Sequence, residues 1–195
     1  MENAKRLALV PKLSAEESSG LTARSDDDLM LLARGGIERA FATLIQRHQA
    51  RLLRVAARYL ADDALAADVA QNTFVQIYRA LPKYEARGKF EPYLYRVLLN
   101  QCHMVRRAAR AEQSAVRELS PAPADEAEVL LRERDRDLQS ALGRLSPKLR
   151  SVVLLRYGAD LDYGEIAEAL ELPSGTVKRR LFDAMIKLRS AMEGQ

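Results

Sequence analysis

Residues 161–189 read LDYGEIAEALELPSGTVKRRLFDAMIKLR. The spacing predicts two helices with a tight break. The first runs from about Asp162 to Leu170, with Ile166, Ala167 and Leu170 on one face. The break is Glu171-Leu172-Pro173: proline removes a donor and forbids continuing the first helix, yet suits entry to a second. Ser174 is the expected N-cap of that second helix. Val177, Leu181, Ala184 and Leu188 then form one apolar stripe at helical spacing, with Gly175, Lys178, Arg179 and Phe182 on the other side. A short helix followed by a basic one across a few residues is the layout of a DNA-reading helix-turn-helix.

The chemistry suits a phosphate backbone. Amides and the positive dipole end at the start of the second helix favour an anion, Gly175 lets a backbone approach, and Lys178 and Arg179 are long enough to reach guanine edges or phosphates. A basic face can also be simply solvated. The turn chemistry and the paired helices favour DNA. The candidate contacts are Ser174, Gly175, Thr176, Lys178, Arg179, Arg180, Phe182 and Asp183.

Upstream of this unit the chain stays helical. Ser146-Pro147 opens a helix carrying Leu149, Val152, Val153, Leu155 and Tyr157, which Gly158 closes. Leu131, Leu138, Ala141, Leu142 and Leu145 precede it, so a small all-α C-terminal domain is expected over 131–195. Before it, SPAPADEAE is rich in proline, alanine and acid without an apolar stripe, and residues 111–130 read as an interdomain linker.

A second helical domain is expected over 26–110. Ser25 followed by Asp26, Asp27 and Asp28 is a helix start, and Gly35-Gly36 ends that helix. A long helix follows to about Leu60, with Phe41, Leu44, Ile45, His48, Leu52, Val55 and Tyr59 on one face. Asp62-Asp63 opens the next, which Leu81-Pro82 ends. Its outer face puts Asp68, Gln71, Asn72, Val75 and Arg79 in one stripe. By pattern alone this is a solvent face with a stray valine, or a docking face with hydrogen-bonding groups around an apolar spot.

The loop and helix after Pro82 mix base with aromatics: Lys83, Tyr84, Arg87, Lys89, Phe90, Tyr93, Tyr95 and Arg96. That mixture suits unstacked single-stranded nucleic acid, with rings stacking on bases while cations hold the backbone. Core aromatics beside solvated charges are the plainer reading for Phe90 and Tyr93. The helix continues to about Arg110, and Arg106 and Arg107 are candidate phosphate contacts.

The 195 residues carry a net charge of +4 and are 48% hydrophobic, compatible with a packed core and with nucleic acid. No apolar run reaches the length of a membrane span, so no membrane insertion is expected and the protein reads as cytoplasmic. One cysteine, Cys102, excludes an internal disulfide. His48 and His103 lack ligand spacing, so no metal, cofactor or catalytic residue is expected. Without a nucleotide loop or a nucleophile with a positioned base, an enzyme is not expected. Residues 1–25 read as a flexible lead, with a weak helical signal near Arg6–Val10.

These features together resemble the bacterial extracytoplasmic-function (ECF) sigma factors, the smallest class of the main sigma factor family. The first block carries the resemblance through DDLMLLARGG-ERAFATLIQRH, DVAQNTF and FEPYLYRVLLN; the second through ALGRLSPKLRSVVLLRY, LDYGEIAEAL and PSGTVKRRLFDA. The resemblance implies an all-α fold of two small domains and a factor that brings core RNA polymerase to particular promoters. It implies that Asp68, Gln71, Asn72, Val75 and Arg79 dock on the β′ clamp, with the β subunit also a partner. It implies that Lys83, Tyr84, Arg87, Phe90, Tyr93, Arg96, Asn100, Arg106 and Arg107 hold the start-site-proximal promoter DNA element, and that the helix-turn-helix reads the upstream one. An anti-sigma factor is implied as inhibitor. Asn72, Tyr93, Glu171 and Asp183 depart from the family pattern, Glu171 at a turn position where glycine is frequent. A helix-turn-helix regulator binding duplex DNA on its own, and a helical adaptor without nucleic acid, are the other readings.

Overall fold

In this computed structural model the described residues are 20–113 and 137–193. Most of the N-terminal lead, including residues 6–10, and the linker beyond residue 113 lie outside them.

Among the described residues the longer helices are, in order, α1 (Asp26–Arg34), α2 (Glu38–Leu60), α3 (Asp63–Ala80), α4 (Phe90–Gln113), α5 (residues 137–144), α6 (Pro147–Val153), α7 (Tyr163–Leu170) and α8 (Ser174–Glu193). No strand occurs among the described residues. The all-α architecture with two helical domains, α1–α4 and α5–α8, is the expected one.

Local sequence fixes most helix ends. Ser25 Oγ accepts from the Asp28 amide at 3.2 Å, with three acids in the first turn of α1 complementing the positive dipole end. Gly36, at φ 95°, takes the backbone into α2, a conformation that only glycine adopts without strain. Asp62 Oδ1 accepts from the Leu65 amide at 2.9 Å and starts α3. Pro82 sits in a 3₁₀ turn, Leu81–Lys83, that ends it.

The first domain closes around Leu29, Met30, Phe41, Leu44, Leu52, Phe74, Ile77, Leu94 and Leu98, all buried. At its edge His48 Nε2 lies 2.8 Å from Asp26 Oδ2, and His48 Nδ1 lies 3.6 Å from Glu91 Oε1. Arg47 pairs with Asp26, and Arg51 with Glu91 at 3.2 Å. The three potential ligand atoms lie within 4.8 Å of one another, but the imidazole's two nitrogens face different carboxylates and each carboxylate already has an arginine. This is a network tying α1, α2 and α4 together. Burial works to raise the Asp26 carboxyl, but the His48 and Arg47 contacts outweigh it and hold it below its ordinary range; burial leaves Glu91 above its own.

The second domain packs Leu142, Leu145, Leu149, Val152, Leu155, Ile166, Val177, Leu181 and Leu188. After Val153 the chain widens into a π-helical turn, Leu154–Gly158, closed by the Ala159 amide on Leu154 O at 3.0 Å. Tyr157, expected on the apolar stripe, is 63% exposed there; an inserted residue in a helix shifts every following side chain around the axis.

Three boundaries differ from the sequence reading. Residues 20–22 already form a helical turn, and Arg47 Nη2 donates to the carbonyls of Thr22 and Arg24 at 3.0 and 3.1 Å, so residues 20–24 are tied to α2. Helix α4 runs to Gln113 rather than Arg110. The N-cap of α8 is Pro173, whose carbonyl accepts from the Thr176 amide at 2.9 Å, and Ser174 is already the first helical residue.

The two domains lie against one another and share a continuous apolar core. Helix α4 packs along α7, and the π turn packs on α2. A Cβ on Gly158 would stand 3.3 Å from Val55 Cγ2, so only glycine seats the turn there without displacing its neighbour. Gln139 donates to Ala57 O at 3.3 Å and Arg51 to Ala159 O at 3.2 Å.

Candidate polymerase and nucleic-acid interfaces

The stripe on α3 stays outside the core. Ala66, Ala70, Phe74 and Ile77 turn inward, leaving Asp68, Gln71, Asn72 and Arg79 exposed around the half-buried Val75. All five line one shallow depression of about 370 Å³, together with Gln76 and, from α4, Gln101. The arrangement offers hydrogen-bonding groups around a small apolar floor, which is how a protein docking patch is built.

The second surface lies at the start of α4. Lys83, Tyr84, Arg87, Lys89, Tyr93 and Arg96 line a hollow of about 350 Å³. Tyr84 Oη donates to Asp27 Oδ1 at 2.8 Å, the Arg87 amide donates to the same oxygen at 3.0 Å, and Arg34 donates to Tyr84 O at 3.0 Å. The loop is thereby pinned to α1. Burial and the hydrogen bond to Asp27 push the Tyr84 phenol well above its ordinary range, so it stays a protonated donor. The Tyr84 and Tyr93 rings stand 6.0 Å apart, centroid to centroid.

Three residues read onto this surface are elsewhere, one of them Tyr95, which is fully buried. Phe90 is 2% exposed, with its ring 5.4 Å from the His48 ring; it is core and cannot stack on a base. Arg106 donates to Tyr59 O at 3.0 Å and lies over the Tyr59 ring, so it caps the end of α2. The reason is helical phase: Tyr93, Arg96, Asn100 and Arg107 are spaced by three, four and seven residues and share a face, whereas Arg106 is rotated by about 100° from Arg107. Asn100 and Arg107 are exposed.

The third surface is the helix-turn-helix, α7 and α8. Asp162 and Glu165 form a reciprocal capping box: the Glu165 amide reaches Asp162 Oδ1 at 2.8 Å and the Asp162 amide reaches Glu165 Oε2 at 2.7 Å. Glu171 ends α7 at φ 53°, ψ 49°, the left-handed conformation expected at that turn, where a side chain costs on the order of 1 kcal/mol. Ser174, Gly175, Lys178, Arg179 and Phe182 are exposed on α8, with Thr176, Arg180 and Asp183 half-buried. No atom lies within 4 Å of where a Gly175 Cβ would sit, so a ligand backbone has room to approach. Phe182 also lines an apolar groove of about 1110 Å³ between α2 and α8, with Arg54, Tyr157, Met185 and Ile186 among its walls.

The sigma-70 region 2 family matches residues 44–112, and the sigma-70 region 4 family matches residues 135–188. The RNA polymerase sigma-H factor of Pseudomonas aeruginosa is 30% identical over 186 residues, 89% of this chain and 96% of that protein. This chain belongs to the sigma-70 family. The ECF RNA polymerase sigma-E factor of Haemophilus influenzae is 25% identical over 82% of this chain and 91% of that protein. The structure of CnrH in complex with the cytosolic domain of CnrY superposes with a TM-score of 0.71 at 26% identity, over 87% of this chain and 98% of that one. The chain is thus an ECF sigma factor, a transcription initiation factor with both promoter-reading domains, and the stand-alone regulator and the adaptor are set aside.

The sequence reading of this sigma factor missed three contributors. Gln101 joins the docking patch only through the packing of α4 on α3, for which no local pattern exists. Tyr163 stands between two cations, Arg156 and Lys178, each 5.6 Å from its ring centroid; its place at the start of α7, next to the capping residue, was the available signal. Glu168 enters the hollow beside Tyr93 from the other domain. No helix among the described residues is long and apolar enough to cross a membrane.

Proposed function

We propose that this sigma factor docks on the clamp of core RNA polymerase through Asp68, Gln71, Asn72, Val75 and Arg79, joined by Gln101. The observation that carries the assignment is the gathering of all five sequence-spaced residues into one exposed depression, on the face of α3 opposite its core side. Lys83, Tyr84, Arg87, Tyr93 and Arg96, with Asn100 and Arg107 further along α4, hold the displaced single strand near the start site. The Tyr84 proton is committed to Asp27, so towards DNA that residue offers its ring and an accepting oxygen. Ser174, Gly175, Thr176, Lys178, Arg179 and Arg180 read the upstream duplex. The protein acts in the cytoplasm, binds the β and β′ subunits and has no catalysis of its own.

An anti-sigma protein occupies the apolar groove between α2 and α8. Its exposed Phe182, Met185 and Ile186, rimmed by Arg54 and Arg189, fit an amphipathic segment with acidic flanks. The similar chain CnrH is found in complex with a second protein, the cytosolic domain of CnrY, which supports a protein partner for this chain.

The test is co-purification of tagged chain with core polymerase. Asn72→Ala and Val75→Ala are expected to reduce retention while leaving the circular dichroism spectrum unchanged. Undiminished retention of both variants would remove the docking assignment.

A further inference from the structure

The hollow at the start of α4 is lined by basic and aromatic side chains, and one acid enters it from the other domain. Glu168, on the last turn of α7, pairs its carboxylate with Lys89. Arg96 donates from Nη1 to Glu171 Oε1 at 2.8 Å and from Nη2 to the Glu168 carbonyl at 2.9 Å. Three acceptors from one helix end thus meet two of the cations assigned to, or adjoining, the single-strand surface. The carbonyl end of a helix carries the negative pole of its dipole, so α7 brings both formal and partial negative charge. Glu171 reaches Arg96 from the left-handed position that ends the helix, where glycine would fit without strain but would leave Arg96 Nη1 without this partner.

Polyanion sites in proteins recognise spaced oxygens, whether those belong to phosphates or to carboxylates. Two carboxylates and a carbonyl on Lys89 and Arg96 reproduce that pattern. We propose that the C-terminal end of α7 is an intramolecular occupant of the single-strand surface, standing in for backbone phosphates, so that the closed chain shields its start-site DNA contacts until the domains part. The inference rests on the assignment of that surface to single-stranded DNA. Each ion pair is partly exposed, so each is weak and salt-sensitive. That suits a contact that has to break when polymerase holds the two domains apart. At the other end of the interface Gln139, Arg51 and Gly158 keep the second domain on α2, and this places α7 over the hollow.

The test compares full-length wild type, the Glu168→Gln/Glu171→Gln double variant and a control, Glu38→Gln/Asp63→Asn, which removes the same charge from other exposed faces. Binding of a fluorescein-labelled single-stranded oligonucleotide is read by anisotropy at low salt. The inference expects roughly tenfold tighter binding by the Glu168/Glu171 variant, with a salt slope raised in magnitude by one to two, and a much smaller change in the control. Equal binding by all three proteins overturns the inference and leaves the surface assignment standing. Equal tightening in variant and control also overturns it, since net charge alone would then explain the gain. No binding by any of them removes both. Small-angle scattering of the same proteins gives a second reading: the Glu168/Glu171 variant is expected to have the larger radius of gyration, and identical profiles would contradict closure by these pairs.

Discussion

Arg150 of α6 is buried at 2% exposure and places its guanidinium 5.5 Å from the centre of the Tyr59 ring, at the end of α2. Nη1 donates to Tyr59 O at 3.2 Å. Nε donates to Leu142 O at 2.7 Å, and Nη2 to Gly143 O and Leu145 O at 2.6 and 3.2 Å. One cation thus closes the turn between α5 and α6 and reaches into the other domain. Fixed planar donors make this a task for arginine rather than lysine. Arg150→Leu would take a donor from four carbonyls, of which Tyr59 O keeps Arg106 and Leu142 O keeps the Leu145 amide, while Gly143 O and Leu145 O lose the arginine bond. The expected loss is on the order of 3 kcal/mol in urea denaturation, and Arg150→Lys should recover only a minor part. A loss within the error of the wild-type curve would contradict the structural role.

Ala61 ends α2 at φ 58°, ψ 33° and is exposed. A Cβ in that left-handed conformation costs about 1 kcal/mol, and glycine removes the cost. Ala61→Gly should raise stability by about that amount, less the extra freedom glycine gives the unfolded chain. Thermal unfolding checks it, and a lower midpoint would contradict it.

His103 of α4 lies between the two domains, its ring 5.4 Å from Tyr59 and Nε2 3.5 Å from Ser151 Oγ. Burial holds its pKa below the ordinary 6.5. Its neutral form is therefore favoured in the folded chain. The contribution is fully present above 6.5 and is lost as pH falls towards the folded value, because the unfolded chain takes up the proton first. Glu91, raised by burial, acts in the opposite sense. His103→Gln should flatten the fall in stability between about pH 7 and about pH 5. An unchanged slope would show that His103 does not titrate differently on folding.

Arg179 is exposed on α8, one turn into the second helix of the helix-turn-helix. Arg179→Ala should cost about 1–3 kcal/mol of upstream-element binding by the assembled holoenzyme and relax the preference at one guanine. Lys178→Ala should weaken all sequences alike. Footprinting against a set of single-base promoter variants separates the two.

Much of this was legible in the chain because it is local. The helix start at Ser25 to Asp28, the break at Glu171 to Pro173 and the stripe from Asp68 to Arg79 are each set by local spacing. For Phe90 the sequence left core and DNA contact both open: it sits between Lys89 and Glu91, and the His48 ring that stands 5.4 Å from it comes from another helix; its burial decides for core. Arg150 reads as one more cation on an amphipathic helix until the α5–α6 turn supplies its acceptors. The packing of α7 on α4 left no signal either, since no periodicity records which of two finished domains faces the other.

The most direct measurement is run-off transcription with purified core polymerase over a library of candidate promoters. A sigma factor built as described should give discrete transcripts that depend on added protein. Those transcripts should fall sharply with Val75→Ala and lose their upstream preference with Arg179→Ala. A core enzyme that initiates no differently with or without the protein, on every promoter of the library, would contradict the assignment at its root.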